Sequence, residues 1–246
     1  MAHPSPFNLV WHRALDFALP ARCPGCGAIV DQLHNFCSDC WKQLEFLGAG
    51  GCASCGIPLQ STDYHTCAVC LARPPRITRA RAVVAYDDLS RRLVIKLKYG
   101  RKVALAKTMA RFMAPLIGAL PPGAVLVPVP LHPRRLWQRG FNQSVILARE
   151  LSRQVAIPTD AGLLKRVKRT PPLKGLNRLQ RRRAVAGAFQ AAAGVDLRDR
   201  TVVLIDDVLT TGSTANACAR ALKRAGAERV DLVSWARVVQ PAHLSS

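Results

Sequence analysis

A strand, two acids and a hydroxyl-rich turn follow one another at residues 202–214 and constrain the fold more than any other stretch. Val202–Ile205 has the apolar character of a buried strand, and Asp206 and Asp207 come directly after it. A Thr-Thr-Gly-Ser-Thr turn at 210–214 then leads into a predicted helix. This order of elements is typical of ligand sites at the carboxyl edge of an open, parallel α/β sheet.

The residue types in this run suit a sugar phosphate. Backbone N–H groups at a helix N-terminus attract a phosphate dianion, and hydroxyl groups add hydrogen bonds to it. Carboxylates only accept hydrogen bonds, which suits paired ribose hydroxyls and, directly or through water, Mg²⁺. The plainer alternative is a capped helix after a buried strand, but that leaves the paired acids unexplained. The predicted ligand-binding residues are Asp206, Asp207, Thr210, Thr211, Gly212, Ser213 and Thr214.

Eight of the nine cysteines form four Cys-x₂-Cys knuckles. Two knuckles supply the four thiolates of a tetrahedral zinc site, so two structural zinc ions are predicted, one for each consecutive pair of knuckles. Cross-braced pairing stays open, as does replacement of a cysteine by His34 or His65. A disulfide framework fits less well, because the sequence starts without a signal-peptide pattern. The predicted zinc ligands are Cys23, Cys26, Cys37, Cys40, Cys52, Cys55, Cys67 and Cys70.

Charge is divided unevenly along the chain. The net charge is +21, and residues 80–246 hold +20 of it, with thirty Lys/Arg against ten Asp/Glu. A domain with such an excess of positive charge usually binds phosphate groups, most often those of nucleic acid. The alternative is that the arginines only keep the surface solvated. The cysteine-rich head is nearly neutral and becomes acidic when it binds zinc, so it could dock on the basic body. No apolar run reaches the roughly 18 residues of a membrane span, so a cytoplasmic protein is expected.

Strands and helices alternate after the cysteines, which predicts an α/β fold with a parallel sheet. A joint at Arg73–Arg76 divides the chain into residues 1–76, an N-terminal helix with a double zinc-binding domain, and the body at 77–246. The lone Cys218 is predicted to be a small core residue. The predicted strands are 81–86, 124–129, 201–205 and 230–239, and the predicted helices are 89–99, 103–120, 144–154 and 213–225.

Two basic segments of the body are candidates for contact with nucleic acid. Segment 128–144 leaves a strand and enters a helix, and it gathers arginines and aromatic rings, which grip phosphate and stack on bases. Segment 164–183 holds nine Lys/Arg and no acid, so self-repulsion should keep it mobile until an anion arrives. Solvated surface loops are the alternative for both. The predicted contacts are Arg134, Arg135, Trp137, Arg139, Lys174, Arg181, Arg182 and Arg183.

The run at 202–214 resembles the phosphoribosyl-pyrophosphate (PRPP) loop of type I phosphoribosyltransferases. With the knuckled head and the run at 129–144, the chain from about Cys23 to Val238 resembles the ComF family of bacterial phosphoribosyltransferase-like proteins, especially the GntX type. The resemblance implies a type I phosphoribosyltransferase fold behind a small zinc-binding domain. It also implies that Asp206 and Asp207 face the ribose diol of PRPP, bound with Mg²⁺, while the turn at 210–214 wraps the 5′-phosphate.

The resemblance further implies a cytosolic role in natural transformation or in the use of DNA as a nutrient, with single-stranded DNA as partner. A competence helicase or another DNA-processing protein would supply any ATP-driven step, because the chain has no Walker A motif. The second hypothesis is an active phosphoribosyltransferase, in which Asp206 and Asp207 are catalytic and pyrophosphate is released. The motifs do not reveal its acceptor. A regulator that senses PRPP is a weaker third hypothesis, since no helix-turn-helix pattern is present.

Overall fold

The computed structural model describes residues 20–48, 50–59, 61, 63–99, 103–170 and 175–239. The N-terminal helix expected ahead of the knuckles lies outside these ranges, as does Lys174. The helices are α1 (Ser38–Gln43), α2 (Ala68–Ala72), α3 (Asp88–Tyr99), α4 (Val103–Ile117), α5 (Pro133–Arg139), α6 (Gln143–Val155), α7 (Arg178–Ala184) and α8 (Ser213–Arg224). The strands are β1 (Arg79–Ala85), β2 (Val125–Pro128), β3 (Leu164–Arg166), β4 (Phe189–Ala191), β5 (Thr201–Leu209) and β6 (Arg229–Arg237).

Four parallel strands form the central sheet in the order β1-β6-β5-β2. The two central strands come last in the chain, and Thr201 of β5 pairs with Arg229 of β6. Val202–Ile205 is at most 1% exposed, because helices cover both faces of the sheet at this point. A strand buried on both faces has a continuous apolar sequence, which is why this run was readable as a strand.

β5 is longer than the sequence predicted, and the acid pair lies within it rather than after it. β6 continues to pair with β5 as far as Leu209, whereas β2 ends at Pro128, opposite Ile205. Asp206 and Asp207 therefore lie where β5 keeps one neighbouring strand and has lost the other.

Helices on the two faces of the sheet bury separate apolar clusters. α3, α4 and α6 cover one face, with Met109, Leu147 and Trp235 fully buried between them and the strands. α8 and the short strands β3 and β4 cover the other face. Cys218 lies fully buried in this second cluster, so its prediction as a small core residue is confirmed.

The basic segment 164–183 contains regular structure on both sides of residues 171–174, which lie outside the described part. Its start forms β3, which pairs antiparallel with β4, and its end forms most of α7. Asn177 caps α7 by accepting a hydrogen bond from the Gln180 backbone N–H at 2.9 Å, and the Gln180 side-chain oxygen accepts one from the Asn177 backbone N–H at 2.9 Å. This capping box defines the helix start, so the described residues of the segment have regular structure that the sequence did not predict.

The first cysteine unit, Cys23–Cys40, docks on the body through cations and aromatic rings. Lys96 of α3 donates to the carbonyl groups of Pro24 and Gly25 at 3.2 and 2.8 Å. The ring of Phe36 stacks on Trp235 of β6 with centroids 6.4 Å apart. The unit therefore shares its apolar interior with the sheet.

The second cysteine unit, Cys52–Cys70, docks on the other side of β1. Arg81 donates to the carbonyl groups of Cys52 and Ala53 at 3.3 and 3.1 Å. Arg237, at the end of β6, donates to the carbonyl of Cys55 and approaches its Sγ at 3.6 Å. Cations of the body thus bind both cysteine units, as the charge division along the sequence suggested.

Candidate phosphate-binding site and zinc centres

The turn from β5 into α8, residues 210–213, is the candidate phosphate-binding turn and is called the phosphate loop below. Gly212 has φ 71°, a left-handed conformation that glycine adopts without strain, and it turns the chain directly into α8. The hydroxyls of Thr211 and Ser213 lie 2.9 Å apart at the start of this helix. No side chain caps the first turn of α8 within the described structure, so its N–H groups are available to an anion.

A cation from α7 lies over the phosphate loop. Arg181 donates from Nη1 to the Thr210 hydroxyl at 3.2 Å, and from Nε to the Leu176 carbonyl at 2.8 Å. The second bond holds the guanidinium in place beside the loop. The structure therefore brings together two regions that the sequence predicted separately, the loop and the basic segment 164–183.

The acid pair is held by side chains from α3 and α6. Asp207 is buried, and its Oδ2 forms an ion pair with Lys98 Nζ at 2.9 Å and accepts from Gln143 Nε2 at 3.4 Å. Asp206 accepts from the Ser144 hydroxyl at 3.1 Å and from the Asp207 backbone N–H at 3.0 Å, both on Oδ1. These partners fix the carboxylates before any ligand arrives.

Burial, followed by the negative charge of Asp207, raises the pKa of Asp206 to about 8. The Asp207 backbone N–H, the Lys98 ammonium and the Ser144 hydroxyl oppose this shift without cancelling it. Asp206 is therefore mostly protonated at neutral pH, and a cation bound beside it would restore its charge.

Two carboxylate oxygens of the pair remain available to a ligand. Asp206 Oδ2 and Asp207 Oδ1 accept no hydrogen bond from any described residue. Oxygen atoms of this kind suit ribose hydroxyls and the hydration shell of Mg²⁺, so the residues fit the metal that accompanies PRPP. The geometry supports binding by one oxygen from each acid rather than by both oxygens of either.

The eight knuckle cysteines form two clusters, one from each consecutive pair of knuckles. The four sulfur atoms of each cluster lie within 4.8 Å of one another, and Cys26–Cys37 and Cys55–Cys67 are separated by 3.6 and 3.8 Å. A tetrahedron with Zn–S bonds of about 2.3 Å places its sulfurs about 3.8 Å apart. The clusters therefore fit two structural zinc ions in the predicted consecutive pairing, and His34 instead meets the Thr108 hydroxyl at 3.2 Å.

The predicted basic segment 128–144 contains a short helix, α5, that the sequence did not suggest. Arg134 and Trp137 lie exposed on it, with Trp137 85% exposed. Arg139 instead reaches toward the acid pair, since its Nη1 donates to Gln143 Oε1 at 3.2 Å and its guanidinium lies 5.4 Å from the Tyr99 ring centroid. Of the four predicted nucleic-acid contacts in this segment, Arg139 is thus the one that joins the network around the acids, through Gln143.

Sequence reasoning missed the partners of the acid pair on α3 and α6. Lys98 stands at the end of a predicted helix, where a basic residue is ordinary, so nothing marked it as a partner of Asp207. Gln143 and Ser144 begin the helix after the second strand, and their place at the same sheet edge was a usable signal. Arg220 and Arg224 of α8 were also missed, because basic residues spaced along a predicted helix are ordinary and nothing local marked them.

Comparison with known proteins identifies both parts of the chain. Residues 14–74 match the family profile of a double zinc ribbon domain, and residues 142–242 match that of a phosphoribosyl transferase domain. No helix within the described ranges is both long and apolar enough to cross a membrane.

Full-length relatives cover nearly the whole molecule. Competence protein F of Haemophilus influenzae is 32% identical over 88% of this chain and 96% of its own length. DNA utilization protein YhgH of Salmonella typhi is 34% identical over 87% of this chain and 96% of its own length. A solved structure, adenine phosphoribosyltransferase from Leishmania donovani, is 17% identical over 56% of this chain and 66% of that chain, with a TM-score of 0.35 that adds nothing to the assignment. The parallel sheet, the cysteine clusters and these relatives together show that the chain belongs to the ComF family, with a zinc ribbon domain ahead of a phosphoribosyltransferase-like fold.

Proposed function

We propose that this chain acts in the cytosol in the uptake or use of DNA, and that it binds single-stranded DNA together with PRPP·Mg²⁺ or a related sugar phosphate. Relatives that cover 88% and 87% of the chain carry the names competence protein and DNA utilization protein. The body of the chain holds +20 of the net charge, which suits a polyanionic partner. An ATP-driven partner such as a helicase would move the strand.

The observation that carries the sugar-phosphate part is the convergence of cationic and N–H donors on the phosphate loop. The uncapped first turn of α8, the paired hydroxyls of Thr211 and Ser213, and the guanidinium of Arg181 meet there. The acid pair, which lies within β5 just before the loop, has two carboxylate oxygens free to accept hydrogen bonds from a sugar diol. A 5′-phosphorylated ribose would satisfy both groups at once.

The test is single-stranded DNA binding by the zinc-loaded protein across a salt series, with and without PRPP·Mg²⁺. We expect a steep salt dependence that PRPP·Mg²⁺ changes, because strand phosphates and the 5′-phosphate compete for the same arginines. PRPP binding is measured separately by calorimetry. Absence of DNA binding at moderate salt would refute the DNA part, and absence of PRPP binding would refute the sugar-phosphate part.

A second candidate is catalysis of phosphoribosyl transfer from PRPP to an acceptor. The bond from the anomeric carbon to pyrophosphate would break as the bond to the acceptor forms, and Arg181 lies close enough to the loop to neutralise phosphate charge. The fixed acid pair favours this candidate, because Asp206 and Asp207 are held in place before ligand binds. Bound Mg²⁺ would supply charge neutralisation for the leaving pyrophosphate.

Pyrophosphate release from PRPP with a panel of bases tests this candidate. The Asp206→Asn variant should lose turnover by at least about 100-fold while keeping its fold, because Asn Oδ1 can still accept from Ser144. A variant with full turnover would remove the acids from the mechanism.

A further inference from the structure

A large cleft lies between the second cysteine unit, α7 and α8, and it is called the arginine cleft below. Its volume is about 1680 Å³, well above the roughly 300–1,000 Å³ of sites for drug-sized ligands. Its lining includes the phosphate loop, but neither Asp206 nor Asp207. The cleft therefore includes the phosphate loop, and the acid pair lies outside the cleft.

Positive charge fills this cleft. Eight arginines line it, and no aspartate or glutamate does among the described lining residues. Four thiolates and one zinc ion in the second cysteine unit contribute about −2, so a large positive excess remains. Burial, and then the charges of Arg182, Arg224 and Arg76, lower the pKa of Arg220, which shows how closely these guanidinium groups crowd. Crowded guanidinium groups without a carboxylate among them are stabilised by a bound polyanion.

Exposed apolar and aromatic side chains line the cleft together with the arginines. Tyr64 and Leu71 of the second cysteine unit are 68% and 67% exposed, and Leu179 of α7 is 49% exposed. Rings and apolar surfaces beside a line of cations are the pattern with which proteins bind single strands, since bases stack while phosphates pair with arginine. A free phosphate or a small sugar phosphate would leave these walls unused.

The phosphate loop belongs to the cleft lining, whereas the acid pair lies outside the cleft. This arrangement determines which end of a bound single strand would lie at the acids. A nucleotide with its sugar at the acids and its 5′-phosphate on the loop has only one continuation beyond that phosphate, the O3′ of the preceding nucleotide. That continuation enters the arginine cleft. We infer that the cleft binds the backbone of single-stranded DNA and that the 3′-terminal nucleotide lies at the acid pair, where its 3′-hydroxyl, the single hydroxyl of a terminal deoxyribose, donates to one free carboxylate oxygen. This inference rests on the DNA binding proposed above and adds the path and the direction of the strand.

The path is tested with two double variants that remove equal charge. Arg220→Ala/Arg224→Ala removes two cleft arginines, and Arg91→Ala/Arg92→Ala removes two exposed arginines of α3 that do not line the cleft. Binding of a 20-nucleotide single strand is followed by fluorescence anisotropy from low to moderate salt. We expect the cleft variant to bind at least about tenfold more weakly and to lose about 1.4 from its salt slope, at roughly 0.7 per lost phosphate contact, while the α3 variant changes little.

The direction is tested on the wild-type protein with three forms of the same sequence. A linear strand with a 3′-hydroxyl should bind about tenfold more tightly than a strand with a 3′-phosphate or a closed circle, and a 5′-phosphate should make little difference. PRPP·Mg²⁺ should displace the first form competitively, because its ribose and 5′-phosphate would take the place of the 3′-terminal nucleotide.

Each outcome separates one claim from the others. Equal binding by the two double variants overturns the path, and equal binding of the circle and the open 3′-end overturns the direction. Lack of binding by the wild-type protein to any strand overturns the proposed DNA function itself. A direct PRPP titration still reports on the phosphate loop in that case.

Discussion

Gly25, between the ligands of the first knuckle, should be irreplaceable for a packing reason. A Cβ atom at this position would lie 2.6 Å from Cys40 Sγ and 3.2 Å from Cys40 Cβ. Non-bonded carbon and sulfur atoms need about 3.5–4.0 Å, so Cys40 would have to move by roughly 1 Å. Zinc sites tolerate shifts of only about 0.2 Å in ligand distance. Gly25→Ala should therefore abolish the first zinc site.

Gly27, two residues later, provides the matched control. It has φ 88°, but a Cβ atom there would meet nothing within 4 Å. Gly27→Ala should cost roughly 1–2 kcal/mol of backbone strain and leave the sulfur cluster intact. The two substitutions thus separate steric exclusion at Cys40 from the general cost of adding a methyl group to a knuckle.

Zinc content by mass spectrometry and thermal unfolding together test this reasoning. The wild-type chain and Gly27→Ala should hold two zinc ions, and Gly25→Ala should hold one. The Gly25→Ala protein should also melt earlier, because the first unit shares its core with β6 through Phe36 and Trp235. Two zinc ions and a wild-type melting temperature in Gly25→Ala would refute the steric reasoning, as would loss of an ion from Gly27→Ala.

Four further substitutions, one of them used only in combination, test the acid pair and the docking of the second unit. The raised pKa of Asp206, about 8, means that the folded protein keeps a proton that the unfolded chain releases, so stability should fall as pH rises toward 8. Asp206→Asn should flatten this dependence and be more stable than wild type by at least about 1.4 kcal/mol at pH 8.5, measured by urea unfolding; an unchanged pH profile would contradict the pKa. Lys98→Met leaves Asp207 buried without its cation and should cost about 2 kcal/mol, below the roughly 3–5 kcal/mol of a fully buried pair, because the lysine side chain is 24% exposed. Adding Asp207→Asn should recover part of that loss, and failure to recover any would argue against the ion pair. Arg237→Met removes the donor to Cys55, so chelators should extract the second zinc about tenfold faster while the first is released at the wild-type rate.

The periodicity of apolar residues and the spacing of the cysteines were sufficient to predict most of the fold from the sequence. The predicted helix 89–99 is observed at Asp88–Tyr99, and the predicted strand 230–239 is observed at Arg229–Arg237. Both elements carry strong apolar periodicity, and turn residues bound them. The consecutive knuckle pairing was also predictable, because spacers of ten and eleven residues let neighbouring knuckles meet.

Features that depend on tertiary contacts were not readable in the same way. β5 extends beyond its apolar residues to Leu209 because it pairs with β6 there. No local sequence pattern predicts that pairing, so the predicted strand ended too early. The regular structure in segment 164–183 was not predicted, because the interpretation rested on the high charge of the segment. The Asn177–Gln180 capping box was a local indication of a helix start that was not used. The arginine cleft could not be predicted for a different reason, since the residues that line it come from three distant parts of the chain.

The strand order of the sheet has a consequence for synthesis. β1 and β2 occupy opposite edges of the sheet and do not pair with each other, since both central strands lie in residues 201–237. At ribosomal rates of about 5–20 residues per second, β1 waits roughly 8–30 s for its neighbour β6. Throughout that interval the cysteine units have already emerged and can bind zinc, but Trp235 and Arg237, to which they dock, have not yet been made. The zinc ligands are therefore complete before the sheet is, and the edges of β1 and β2 that later pair with β6 and β5 stay open to other strands until synthesis reaches residue 237.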